Sequence, residues 1–196
     1  MKNLGFDASI SKFLKEINIA NENYKNILDV GCGTGVIGLS LAERYRNCSI
    51  LFTDINQNLL NQAKKNAEEK QIEAKRLSFG ISDITTPKKI TSTNSIILKD
   101  ATFDIVATGA VIGYSQNQKQ TIEDLLSLVK PNGYFINIEM NEGFFGKNVS
   151  RRYKYPIMPL AEIEKLIKLN GFELVSIPVT IFPAKLTRTC YIARKY

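Results

Sequence analysis

The sequence contains no histidine, no tryptophan and only three cysteines in 196 residues. Without histidine there are no imidazole metal ligands, no Ser-His-Asp or Cys-His catalytic sets, and no histidine general base. Three cysteines cannot all pair within one chain, and Cys32, Cys48 and Cys190 show no Cys-x-x-Cys spacing. A disulfide framework and a thiolate zinc site are therefore not expected, which points to a reducing, cytoplasmic compartment. Long apolar runs are also missing. None approaches the ~20 residues that span a bilayer, and Met1-Lys-Asn-Leu-Gly-Phe-Asp-Ala-Ser9 lacks the apolar centre of a signal peptide. No membrane partner is expected. No repeat, low-complexity tract or Gly/Ser linker divides the chain, so a single domain over 1–196 is expected.

What is present is an alternation of short apolar runs with longer helical patterns, the signature of a parallel sheet. Apolar residues at helical intervals predict a lead-in helix over Phe6–Ile19, within an N-terminal cap spanning 1–23. Strands are expected at Asn26–Val30, Ser49–Thr53, Ala74–Phe79, Phe103–Thr108 and Tyr134–Met140, with helices at Val36–Arg46, Asn58–Gln71 and Thr121–Val129. Pro131-Asn-Gly133 is read as the stop after the last of these helices. Ile81–Lys99 reads as a polar loop, and Asn141–Pro156 as irregular. Leu160–Leu169 is a helix closed by Gly171. Leu174–Phe182 and Thr187–Ala193, joined by Pro183-Ala-Lys, are too close for a helical crossover and imply an antiparallel hairpin. The expected fold is α/β: a doubly wound, mostly parallel seven-stranded sheet with helices on both faces and an antiparallel C-terminal hairpin.

Between the first strand and the next helix lies Leu28-Asp-Val-Gly-Cys-Gly-Thr-Gly-Val-Ile-Gly38. Glycines there allow a sharp turn and close approach to a ligand, and free N–H groups at the helix start favour polar or anionic atoms. Gly33-Thr-Gly-Val-Ile-Gly38 by itself satisfies G-x-G-x-x-G, and Asp54 follows about 20 residues on, as in a nicotinamide dinucleotide site. The acid at Asp29 argues otherwise: it would repel a pyrophosphate and attract an ammonium.

Asp29-x-Gly31-x-Gly33-x-Gly35 resembles motif I of the class I, seven-β-strand S-adenosylmethionine-dependent methyltransferases. The resemblance extends through Asp54 after the second strand, Asp83 after the third, Phe103-Asp-Ile-Val106, and Leu128-Val-Lys-Pro-Asn-Gly-Tyr-Phe-Ile136. It covers about Tyr24 to Tyr196. It implies S-adenosylmethionine as cofactor, with Gly31, Gly33 and Gly35 against its methionine part and Asp29 orienting its ammonium. Asp54 would accept from both ribose hydroxyls, and Ile55 would lie on the adenine face. Asp83 would accept from the adenine amino group beside the Ile84 backbone. Thr108 and Gly109 would stand near the sulfonium.

With histidine absent, a general base, where the acceptor needs one, falls to Glu, Asp, Tyr or Lys. Tyr114 and Glu139 are placed for it by position, and Tyr114 is the favoured catalytic residue. Ala107–Tyr114 carries no Asn/Asp-Pro-Pro-Tyr/Phe, which argues against adenine-N6 and glutamine-N5 methylation. No acidic metal cluster can be placed, so no metal is expected. The insertion over 141–157 is expected to cover the acceptor site, with Arg151, Arg152 and Tyr153 as substrate contacts. The net charge of +7 comes from 26 basic and 19 acidic residues. It is spread thinly outside that insertion, which favours a small-molecule acceptor over RNA or protein. No oligomeric state follows from the sequence.

Overall fold

The aliphatic runs become strands because β-branched and large apolar side chains fit a sheet covered on both faces. A computed structural model describes residues 5–17, 19, 24–91 and 95–196. Of the expected N-terminal cap, residues 1–4, 18 and 20–23 lie outside the described residues. So do residues 92–94 of the polar loop.

In chain order the elements are α1 (Phe6–Glu16), β1 (Asn26–Val30), α2 (Val36–Arg44), β2 (Ser49–Asp54), α3 (Gln57–Glu69) and β3 (Leu77–Ile81). A small hairpin follows, β4 (Lys89–Ile90) with β5 (Ile96–Ile97). The chain continues with β6 (Phe103–Gly109), α4 (Gln118–Ser127), β7 (Val129–Met140), α5 (Phe144–Tyr153), α6 (Leu160–Leu169), β8 (Phe172–Pro178) and β9 (Arg188–Lys195). Seven strands form one sheet in the order β3-β2-β1-β6-β7-β9-β8. The first five run parallel, while β9 is antiparallel to both β7 and β8. This is the fold class expected from the sequence.

Side-chain alternation along each strand splits the interior into two cores. Ile27, Ile105, Ala107, Ile136 and Ile192 face one side with α1, α2 and α3. Leu28, Val106, Phe135, Tyr191 and Ala193 face the other with α4 and α6. At the foot of the sheet, Asp104 accepts from the backbone N–H groups of Lys25 and Asn26 and pairs with Lys130 Nζ at 2.9 Å. One carboxylate thereby ties together the starts of β1, β6 and β7.

Several local expectations need correcting: Ala74–Arg76 is a 3-10 turn ahead of β3, and the expected loop Ile81–Lys99 holds the β4–β5 hairpin. Asn141–Pro156 is not irregular: α5 occupies most of it, although only Gly146 of its ten residues is buried. Phe145, Val149 and Tyr153 do recur at helical spacing, but the run is short and its basic residues dominate the reading. Pro131-Asn-Gly133 lies inside β7 rather than before it. The register slips there, with Phe103 opposite Val129 but Ile105 opposite Tyr134, so the turn residues form an irregularity within a continuing strand. The join between β8 and β9 is longer than three residues, running over 179–187 with a 3-10 turn at Ala184–Leu186. No helix among the described residues is long and apolar enough to cross a membrane.

Candidate active site

The chain adds β2 and β3 on one side of β1, then crosses to place β6 and β7 on the other. The crossover helices therefore diverge above β1 and β6. Open α/β sheets bind ligands at this switch point, outside the carboxyl ends of the strands. Val30 and Thr108 are level in the ladder, so the loops after β1 and β6 face each other across the crevice.

Gly31, Gly33 and Gly35 have φ of +61°, +56° and +85°, a region costly for residues with a Cβ. The loop is pinned from outside by Asn66, whose side-chain amide donates to the Thr34 carbonyl at 2.9 Å. Behind it, α2 sits hard against the sheet: a Cβ on Gly38 would lie 2.4 Å from Phe52 and 2.8 Å from Asp29. That closeness lets the Gly38 N–H donate to Asp29 Oδ2 at 2.8 Å. Asp29 is buried, and burial pushes its carboxyl up to about 7, partly offset by the Gly38 bond and reinforced by Asp54. No described Lys or Arg forms an ion pair with it.

Asp54 ends β2 and is 7% exposed. Its Oδ2 accepts from Gly33 N–H and its Oδ1 from Asn56 N–H, both at 2.9 Å. Asn56, not Asp54, caps α3, by accepting from Asn58 N–H. Each Asp54 oxygen thus has one backbone donor fixing its direction and a lone pair left over. Asp83 is exposed and accepts from Thr85 N–H, while Ile84 is buried.

Three cavities meet over these residues. The first, about 300 Å³, is lined by Gly31, Asp54, Ile55, Asp83, Ile84 and Tyr114, among others. The second, about 200 Å³, includes Asp29, Gly31, Gly33, Gly109, Phe6 and Arg188. The third, about 550 Å³, includes Gly109, Tyr114, Arg152, Tyr153, Tyr155 and Arg188. Gly31 joins the first to the second, Gly109 and Arg188 join the second to the third, and Tyr114 joins the first to the third. Some expected residues fall outside this set. Thr108 is fully buried beneath the cleft, and Gly35 packs against Leu39 and Ala63. Arg151 is exposed and does not line the third cavity, although its neighbours Arg152 and Tyr153 do.

Glu139, read as a candidate base, is 2% exposed and serves as an anchor. Tyr155 donates to its Oε1 at 2.5 Å, and the Gly113 N–H donates to the Tyr155 hydroxyl at 3.0 Å. Burial, then the neighbouring Glu139, push the Tyr155 phenol far above its usual range, so it stays a donor. This strut ties the residue after α5 to β7 and to the 3-10 turn Ile112–Tyr114, whose Tyr114 ring meets Tyr155 edge-on at 5.0 Å. Tyr155→Phe leaves the Glu139 oxygen and the Gly113 N–H each short of a buried partner. It is expected to cost about 2 kcal/mol, read as a fall of about 4–8 °C in a thermal melt. An unshifted melting temperature would show that the strut holds nothing.

Sequence reading missed Phe6 and Arg188. For Arg188 a signal existed: an antiparallel last strand must begin where β7 ends, and Arg188 stands opposite Met140.

The crevice fits the cofactor named by the resemblance. Gly33 lines the second cavity, and a Cβ there would project into open space, so the loop presents bare backbone. The unpaired, buried Asp29 suits an ammonium, and the two free directions of Asp54 suit a vicinal diol. A pyrophosphate finds the opposite, because Asp54 already takes the Gly33 N–H and Asp29 contributes negative charge.

Comparison with known proteins agrees. A family model described as a methyltransferase domain matches residues 21–185. The chain is 24% identical over 157 residues to a malonyl-[acyl-carrier protein] O-methyltransferase of Ilyobacter polytropus, covering 75% of this chain and 54% of that one. It is 27% identical over 183 residues to a ubiquinone/menaquinone biosynthesis C-methyltransferase of Rickettsia rickettsii, covering 89% of this chain and 67% of the relative. The chain thus spans between half and two thirds of these relatives. An O-methyltransferase family protein from Burkholderia thailandensis has a similar structure, with TM-score 0.77 and 14% identity, over 96% of this chain and 56% of that one. The class defined by the fold is a Rossmann-like α/β domain with its crevice at the switch point of the sheet. The chain belongs to the methyltransferase-domain family, as a class I S-adenosylmethionine-dependent methyltransferase.

Proposed function

We propose that the chain transfers the methyl group of S-adenosylmethionine to a small molecule held in the 550 Å³ cavity. The observation that carries this is the seam: Gly109, Ala110 and Arg188 line both the cavity under the glycine loop and the larger one beside it. Ala110 is held there at φ +48°, a strained backbone of the kind found where a loop must approach a ligand. When bound, the cofactor supplies an electrophilic methyl on a sulfonium. The protein's part is to orient and to exclude water. Asp54 would hold the ribose, Asp29 the ammonium, and Asp83 with Ile84 the adenine edge. Ile55, 63% exposed, would be covered by the adenine face. Tyr114, lining both the nucleoside cavity and the acceptor cavity, stands where a hydroxyl can touch an acceptor.

The two relatives are named for quinone biosynthesis and for a malonyl acyl-carrier-protein substrate. A cavity of about 550 Å³ suits a small organic moiety better than a folded macromolecule. On this reading the whole chain is one domain, α5 is part of the acceptor cover, and three free buried cysteines suit a reducing compartment such as the cytoplasm. Calorimetric titration with S-adenosylhomocysteine, with NADH run in parallel, is the test. Saturable binding of the thioether alone is expected; binding of NADH alone would overturn the reading.

A further inference from the structure

The third cavity holds a charge that the fold leaves unpaired. Arg188, the first residue of β9, is half-buried, with its guanidinium 4.9 Å from the centre of the Phe6 ring. Its one hydrogen bond among the described residues is from Nη1 to the Thr187 carbonyl at 3.3 Å. No described carboxylate pairs with it. Burial lowers its pKa from the usual arginine value, so the protein bears a cost to keep this charge out of water. The groups acting on it are Glu139, Tyr155, Tyr114 and Tyr153; the three tyrosines line the third cavity. Glu139 acts on it through space but forms no ion pair with it, and its Oε1 accepts from both Tyr155 and Met140 N–H.

Resting on the reading that this cavity takes the acceptor, we infer that the acceptor is a flat, apolar monocarboxylate whose carboxylate is gripped by Arg188. A guanidinium offers a planar fork of donors that matches a carboxylate's two oxygens. Around it the cavity is walled by Tyr114, Phe145, Tyr153, Tyr155, Met140 and Phe6, which suit a ring or an unsaturated chain. The charge count selects a monoanion. Arg152, the cavity's other cation, is exposed and water-screened, and the buried Glu139 opposes a second negative charge on the ligand. The carboxylate would sit at the seam, which brings the adjoining atoms of the acceptor toward the methyl position.

The experiment uses protein saturated with S-adenosylhomocysteine. Benzoate, trans-cinnamate and 2-naphthoate are titrated beside their carboxamides, with phenyl phosphate as the dianion. At least one acid is expected to bind about tenfold or more tightly than its carboxamide and than phenyl phosphate. Arg188→Gln is expected to erase that difference while holding S-adenosylhomocysteine affinity within about threefold, and Arg188→Lys to restore part of it. Equal binding of acid and carboxamide, tighter binding of phenyl phosphate, or no binding of any acid would overturn the proposal. So would loss of S-adenosylhomocysteine binding in Arg188→Gln, which would give the guanidinium to the cofactor's own carboxylate. Failure of the wild-type protein to bind S-adenosylhomocysteine is a separate result. It would fail the methyltransferase reading itself.

Discussion

Asp54→Ala is expected to weaken S-adenosylhomocysteine binding by about 10²–10⁴-fold, because two hydroxyl hydrogen bonds to a charged acceptor are worth about 1.5–3 kcal/mol each. The fold should survive the change. Asn56 caps α3 with its own side chain, and the Gly33 N–H that loses its acceptor faces a cavity that water can enter. Calorimetry reads the affinity, and a thermal melt separates it from unfolding. Asp54→Asn replaces one acceptor oxygen by a donor and is expected to fall between wild type and alanine. Affinity unchanged in Asp54→Ala would remove the ribose assignment, and with it the reason for a carboxylate at the end of β2.

The second large effect concerns pH. In the fold the Asp29 carboxyl is held up to about 7 against 3.8 in an exposed chain, with desolvation the main cause. Between these values the unfolded chain has released its proton while the folded one keeps it. Stability without ligand is therefore greatest below about pH 4 in this contribution, and falls as pH rises through 7. The gap of roughly three units is on the order of 4 kcal/mol. A ligand ammonium reverses the balance, since it favours the charged carboxylate. Affinity for S-adenosylhomocysteine should then rise about tenfold from pH 6 to pH 8. 5′-Methylthioadenosine, which shares the nucleoside but lacks the amino-acid tail, should show no such rise. Asp7 and Arg188 line the same cavity, so the comparison is made again in Asp29→Asn, where the slope should vanish. A slope that persists in that variant would assign it to another group.

The residues proposed for the cofactor could be picked out in the sequence because their requirements are local. A positive φ at Gly31, Gly33 and Gly35 demands glycine, and an acid at each strand end is visible as an acid at each strand end. The parallel sheet followed from alternation, and the antiparallel last pair from the lack of a helical crossover between its strands. The acceptor half was less legible, because its groups converge only in three dimensions. Tyr155 meets Gly113 across 42 residues, and Arg188 reaches Met140 only through the sheet register. α5 was missed although Phe145, Val149 and Tyr153 recur every four residues, because the run is short and basic and buries only Gly146. Glu139 was misjudged for a related reason. An acid near a strand end reads as a base open to the crevice until the chain from α5 folds back and closes over it.

The reversed strand β9 has an evolutionary corollary. The proposed nucleoside contacts come from residues 29–85, whereas the proposed acceptor grip is delivered by 109–114, 140–155 and the start of β9. Parallel strands offer their last residues to the crevice, but β9 offers its first, immediately after the 179–187 connection. Lengthening or recolouring that connection therefore retunes the acceptor end of the crevice while β1, β2 and β3 stay in register. The two halves can drift apart at different speeds. Grafting 140–188 from a related domain onto this one is expected to change acceptor preference and leave S-adenosylhomocysteine affinity in place.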